Sequence, residues 1–169
     1  MRILGVDPGL TWTGYGLVEV SALGPGLLDA GVIHTDGRAP LPSRLHELYV
    51  RLGQVLSGGR PTVIAIEDLF AHPRFPRTAI VMGHVCGVIH LAAAQAGIPI
   101  EAIPPASVKR ALASSGQAGK RQMQRMVRIL LALAEDPGPH VADALALALV
   151  VVSRRGLPLD RSAALRGSA

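Results

Sequence analysis

Three acids and one histidine stand where this chain could do chemistry. Asp7 closes the apolar run RILGVD and is followed at once by Pro-Gly, Glu67 closes PTVIAIE, and His140 and Asp143 lie three residues apart in PHVADALA. Side chains alternate across a strand, so an acid at a strand end can project from the edge while its neighbours face the core. Ligands of open α/β sheets gather beyond the carboxyl ends of the strands. If the first and fourth strands are adjacent and parallel, Asp7 and Glu67 converge, and a cation or a proton must offset their repulsion. The spacing of His140 and Asp143 puts both on one face of the opening turns of a helix. Oxygen donors with one imidazole and no thiol suit Mg²⁺ or Mn²⁺ rather than a structural zinc. Two such ions ~3.5 to 4 Å apart serve in-line phosphodiester displacement, one activating water and the other stabilising the leaving oxygen. Each residue has a plainer role: Asp7 as a turn former, Glu67 as a loop acid beside Asp68, Asp143 as a partner of the helix dipole, His140 as a cap. Three acids at convergent element ends favour a site over coincidence.

The elements that must position them are legible as alternating patterns. RILGVD, TGYGLVEV and GLLDAGVIHT read as three strands joined by short loops, which implies an antiparallel meander. In LPSRLHELYVRLGQVLSGG, the residues Leu41, Leu45, Leu48, Leu52 and Leu56 share a helical face, and Gly58-Gly59 is the expected stop. PTVIAIED is a fourth strand, Arg77 to Gly97 a helix, and IPIEAI a fifth strand. ASVKRALAS, GKRQMQRMVRILLAL and HVADALALALVVVSRR follow as helices, the last announced by Pro and Asp. The expected fold class is α/β, a five-stranded mixed sheet flanked by helices. Residues 1–155 are expected to form one domain and 156–169 a mobile tail.

Composition sets the frame. The chain has 169 residues, 49% of them hydrophobic and 17% charged, enough apolar material for one packed core. Its formal net charge of +5 permits a polyanionic partner without requiring one. A lone cysteine, Cys86, cannot form an internal bridge and reads as an apolar filler in a reducing compartment. Asp7 interrupts the first apolar stretch, so no signal peptide is indicated, and ALALALVVV is about half of the ~20 residues that span a bilayer. A cytoplasmic protein is expected.

Taken together, GVDPG with TGYG, LPSRL, AIEDLF, VKRAL, GKRQMQRMVRILL and HVADALALAL occur in the order seen in RuvC-type Holliday junction resolvases, which the chain resembles over nearly its whole length. The resemblance implies a ribonuclease H-like fold, a homodimer, and metal-dependent endonuclease cleavage of two opposed strands of a four-way DNA junction. Two divalent cations, Mg²⁺ or Mn²⁺, and branch-migration partners of the RuvA and RuvB type are implied with it. Carried over by position, Asp7, Glu67 and Asp143 become metal-binding carboxylates, and His140 takes a fourth catalytic position where many relatives have Asp. A neutral imidazole ligates a metal or accepts a proton and a protonated one does neither, so activity should fall as pH drops through the histidine range.

Phe70 matches a family aromatic that stacks on bases near the junction centre. FAHPRFPR joins Phe70 and Phe75 with Arg74 and Arg77, a combination suited to unpaired bases and phosphates. Against fifteen Arg, the only two lysines, Lys109 and Lys120, fall where the family places functional lysines. A compact ammonium near a scissile phosphate differs in fit from a forked guanidinium. Relatives carry an Asn and a Gly-x-Ala-Arg-Gly pattern where this chain has RTAIVMGHVCG, with Cys86 in the Arg position; Arg74 or Arg77 are candidates to replace those contacts. Two rivals are weaker. A sugar-kinase-like phosphotransferase needs two such domains and a second Gly-rich phosphate loop. A non-catalytic junction binder has no need of Asp7, Glu67 and Asp143.

Overall fold

The computed structural model describes residues 1–68, 76–112 and 119–159, apart from the side chains at 76, 109, 110 and 112. Five strands, β1 (Arg2–Asp7), β2 (Trp12–Ser21), β3 (Gly24–His34), β4 (Val63–Glu67) and β5 (Ile100–Ile103), form one sheet in the order β3-β2-β1-β4-β5. The first three pair antiparallel through short turns; β1–β4 and β4–β5 are parallel and need helical crossovers. These crossovers are α1 (Leu41–Gly59) and α2 (Pro76–Gln95), and α3 (Pro105–Leu112), α4 (Lys120–Leu131) and α5 (Pro139–Arg154) follow.

Period-two alternation divides the core into two halves. Leu4, Val6, Ile64 and Ile66 face α1 and α2, meeting Leu48, Leu52, Leu56, Val85 and Ile89. Ile3, Val63 and Ala65 face the other way, onto α5. That helix is apolar around its whole circumference, as a helix buried on all sides must be. It buries Ala142 and every residue from Ala144 to Val152 between the sheet and α4. The glycines of β1 and β2 make this close packing possible. A Cβ on Gly5 would lie 1.8 Å from the Ala144 carbonyl oxygen, and one on Gly14 would lie 2.1 Å from that of His140.

Some local expectations change. Helix α1 runs to Gly59, but the left-handed residue that ends it is Arg60 (φ 47°), whose N–H bonds to the Leu56 carbonyl before Pro61 forbids another turn. Asp143 lies in the second turn of α5, because the helix begins at Pro139, so the plainer reading of it as a first-turn partner of the helix dipole falls away. By length and composition, α2 is the one helix among the described residues apolar enough to cross a membrane. Its Val85, Cys86, Ile89, Ala92 and Ala93 are nevertheless core residues packed with α1. Beyond Arg155 the chain stays in contact with the fold, since Leu157 and Leu159 pack on the α5 side of the core; residues 160–169 lie outside the described residues.

Candidate active site

Asp7 and Glu67 share a face of the sheet because they share a parity. Ile3, Gly5 and Asp7 in β1, and Val63, Ala65 and Glu67 in β4, all point toward α5. The parallel register pairs Val6 with Ile66, so the two acids leave neighbouring strands at the same level. Helix α5 brings the rest. It lies on the glycine floor of Gly5, Gly14 and Gly16, which sets His140 over Gly14, the register partner of Asp7. Gly5 in GVDPG, with Gly14 and Gly16 two apart in TGYG, carried this signal in the sequence, since strand glycines often mark a close backbone approach. The turn before α5 is braced by Arg128 to Asp136 at 2.8 Å, and by the Gln124 amide donating to the Pro137 carbonyl at 2.9 Å.

Asp7, Glu67, Asp143 and Lys120 line one cleft of about 450 Å³ whose remaining walls include Val108, Met123 and Leu147. His140 is not in that wall. It stands on the flank of Asp7, its Nδ1 3.0 Å from the Asp7 Oδ2. An ionised carboxylate only accepts, so Nδ1–H donates and a neutral ring keeps Nε2 as an acceptor. The ring is 43% exposed and the Asp7 side chain 19%.

The electrostatics are those of acids crowded together without enough positive charge. Burial foremost raises the Asp7 carboxyl above its ordinary value; the His140 hydrogen bond opposes this, and the Asp143 charge adds to it. Glu67 is raised by burial and then by Asp7 and Asp143. Asp143 is raised by burial, while Lys120 and His140 pull it back. Three raised carboxyls around one cleft favour a cation, and oxygen donors are the type that hard divalent ions take. Among the described residues no three such side chains are drawn into a ready-made metal cage, so the donors fit by chemistry and by the face they share.

Of the other candidates, Arg77 is exposed in the first turn of α2. Lys109 belongs to α3 with its side chain outside the described residues, and Phe70, Arg74 and Phe75 lie outside them altogether. Cys86 is a buried filler, as expected.

Residues 3–151 match the family described as crossover junction endodeoxyribonuclease RuvC. The chain belongs to the RuvC family. The RuvC of Rhodopirellula baltica is 44% identical over 163 residues, 96% of this chain and 92% of that protein. The RuvC of Pelotomaculum thermopropionicum is 45% identical over 88% of this chain and 91% of its own length. Among solved structures, T. thermophilus RuvC in complex with a Holliday junction substrate superposes with a TM-score of 0.84 at 39% identity, covering 92% of this chain and 96% of that one. The yeast mitochondrial Holliday junction resolvase, 15% identical with a TM-score of 0.61, shares the fold. The fold is ribonuclease H-like, and the chain is an endodeoxyribonuclease that resolves Holliday junctions.

Proposed function

We propose that this chain nicks opposed strands of a four-way DNA junction in pairs, during recombination and repair, at the cleft formed by Asp7, Glu67 and Asp143. The observation that carries this reading is the convergence of three charge-strained, partly desolvated carboxyls and Lys120 in one cleft at the carboxyl ends of β1 and β4. Nucleases of this family depend on divalent metal ions. We assign two Mg²⁺ or Mn²⁺ ions per site, held by Asp7, Glu67 and Asp143 with His140 as the fourth group. Bound there, they supply the positive charge that offsets the carboxylates and the charge growing on the phosphate.

The chain's own residues do the rest. His140 orients Asp7 through Nδ1 and leaves Nε2 to ligate or to take a proton from the attacking water. Lys120 at the mouth of the cleft faces the phosphate, and its charge already acts on Asp7 and Asp143. Lys109, Arg74, Arg77 and Phe75 are assigned to the DNA, and Phe70, three residues after Glu67, to stacking on bases opened at the crossover. Paired nicks call for a two-fold homodimer. The outward face of α2 supports it, since Ile80 and Leu91 are exposed there and Gly83 and Gly87 leave open space. Partners of the RuvA and RuvB type, a cytoplasmic location, and a single nuclease domain over residues 1–155 complete the proposal.

The test is cleavage of a synthetic four-way junction, against linear duplex and single strand, with Mg²⁺ or Mn²⁺. Paired nicks confined to the junction and absent in Asp7→Asn are expected. Tight binding without cutting in either metal would withdraw the catalytic roles.

A further inference from the structure

Trp12 is the only tryptophan in the chain, and its side of the site has no part in the chemistry above. It opens β2 and pairs across the strands with His34, the last residue of β3. The two rings stack with centroids 4.0 Å apart at 37°, and Trp12 remains 48% exposed. A single exposed aromatic on a surface is ordinary. Three observations make this one different.

The first is place. Trp12 has the parity of Gly14 and Gly16, the residues beneath α5, so the stack stands on the α5 face just past the turn that carries His140. Asp7 pairs with Gly14, two residues from Trp12, which by strand dimensions puts Trp12 roughly 8 Å from Asp7, Cα to Cα. The cleft with Glu67 and Lys120 lies toward β4; the stack lies on the opposite flank, toward β3.

The second is rigidity. Buried Thr13 and Thr35, each 1% exposed, follow the two ring-bearing residues. The Thr35 hydroxyl donates to the Leu10 carbonyl, and its N–H donates to that of Thr11 at 3.0 Å. Arg44 reaches across from α1 to the Thr11 hydroxyl at 2.7 Å and the Thr35 hydroxyl at 3.1 Å. The Thr13 hydroxyl ties back to the Gly9 carbonyl. Both backbones are stitched together, and the aromatic surface is what they hold out to solvent.

The third is chemistry. A half-exposed indole backed by an imidazole offers a flat π surface of the kind on which unpaired bases stack without regard to sequence.

We propose that Trp12, backed by His34, is a stacking platform for a nucleobase of the strand that runs past Asp7, on the flank opposite Lys120. The proposal rests on the junction-cleaving reading above. It makes Trp12 a positioning residue: a base held there fixes the strand's path, while the phosphate is engaged elsewhere.

The single tryptophan supplies its own probe. In EDTA, a four-way junction carrying a fluorescent label is titrated with the unsubstituted chain, and label anisotropy is read beside tryptophan emission. Emission is expected to change in step with anisotropy. Trp12→Leu, which keeps the apolar bulk but loses the π face, is expected to weaken junction binding about tenfold. Trp12→Phe should recover most of that loss. Rising anisotropy with unchanged emission, or Trp12→Leu binding as tightly as the unsubstituted chain, would overturn the platform and leave the resolvase reading intact. No rise in anisotropy at all would remove both. Should Trp12→Leu fail to fold, the emission change and Trp12→Phe still decide.

Discussion

Replacing Gly5 by Ala tests whether close packing of α5 on β1 assembles the site. The new Cβ would sit 1.8 Å from the Ala144 carbonyl oxygen and 2.8 Å from its carbon, and such contacts do not close below 3.0 Å, so the backbones must part by about 1.2 Å. Neither side yields easily. β1 is hydrogen-bonded to a strand on each edge, and α5 is buried on all sides. Overpacking of this kind costs about 1–3 kcal/mol, and with backbone on both sides the upper end is expected. At about 2–4 °C per kcal/mol for a chain of this size, Tm should fall by roughly 5–10 °C. His140 and Asp143 ride on α5, and a displacement of ~1 Å can cost about 10²-fold in rate.

The assay is single-turnover junction cleavage with Mg²⁺ or Mn²⁺, beside thermal unfolding. Gly53→Ala is the control, because its Cβ meets nothing within 4 Å and lies inside α1. There alanine should add about 0.5–1 kcal/mol and leave cleavage unchanged. Gly5→Ala with normal Tm and normal cleavage would refute the packing argument. Normal cleavage with a lowered Tm would show that α5 does not carry the catalytic geometry.

Further outcomes follow from the charges. Asp143 has a raised carboxyl pKa, so its contribution to stability is fully present below the ordinary 3.8 and is lost as pH rises through the folded value. Metal-free Asp143→Asn should therefore melt higher than the unsubstituted chain at pH 7, with the difference closing toward pH 4 and below, and cleavage should be abolished; an unchanged or lower Tm at pH 7 would contradict this. Removing the imidazole in His140→Ala takes away a hydrogen bond that lowers the Asp7 pKa, so the acid limb of the pH–rate profile should move to higher pH as the rate falls by about 10- to 100-fold. A profile left unchanged by His140→Asp would reject the assignment of His140. Lys120→Arg should lower the cleavage rate, because a forked guanidinium does not match a compact ammonium at the cleft mouth, and full activity would remove that role. Junction affinity measured between 50 and 200 mM salt should fall steeply, as phosphate contacts release counterions.

Much of this molecule is local enough to be read along the chain. Strand and helix identities follow from periods of two and 3.6, and α1 and β1 begin and end where RILGVD and LPSRLHELYVRLGQVLSGG place them. The three acids and His140 are visible as residue types at element ends, because chemistry needs those types there, and Lys120 stands out as one of only two lysines against fifteen Arg. The pairing of β1 with β4 was a condition in the sequence and became a fact only in the sheet, since nothing local chooses which strand lies beside which. That a left-handed Arg60 rather than a glycine stops α1 after Gly59 depends on which backbone groups find partners in three dimensions. His140 on the flank of Asp7, outside the cleft wall, depends on how far α5 sinks into a floor of glycines. The stack of Trp12 on His34 joins residues twenty-two positions apart through the β2–β3 register. Residue type and periodicity are properties of short segments and survive in a one-dimensional string. Depth, flank and partner are relations between segments, and only packing the chain around one core decides them.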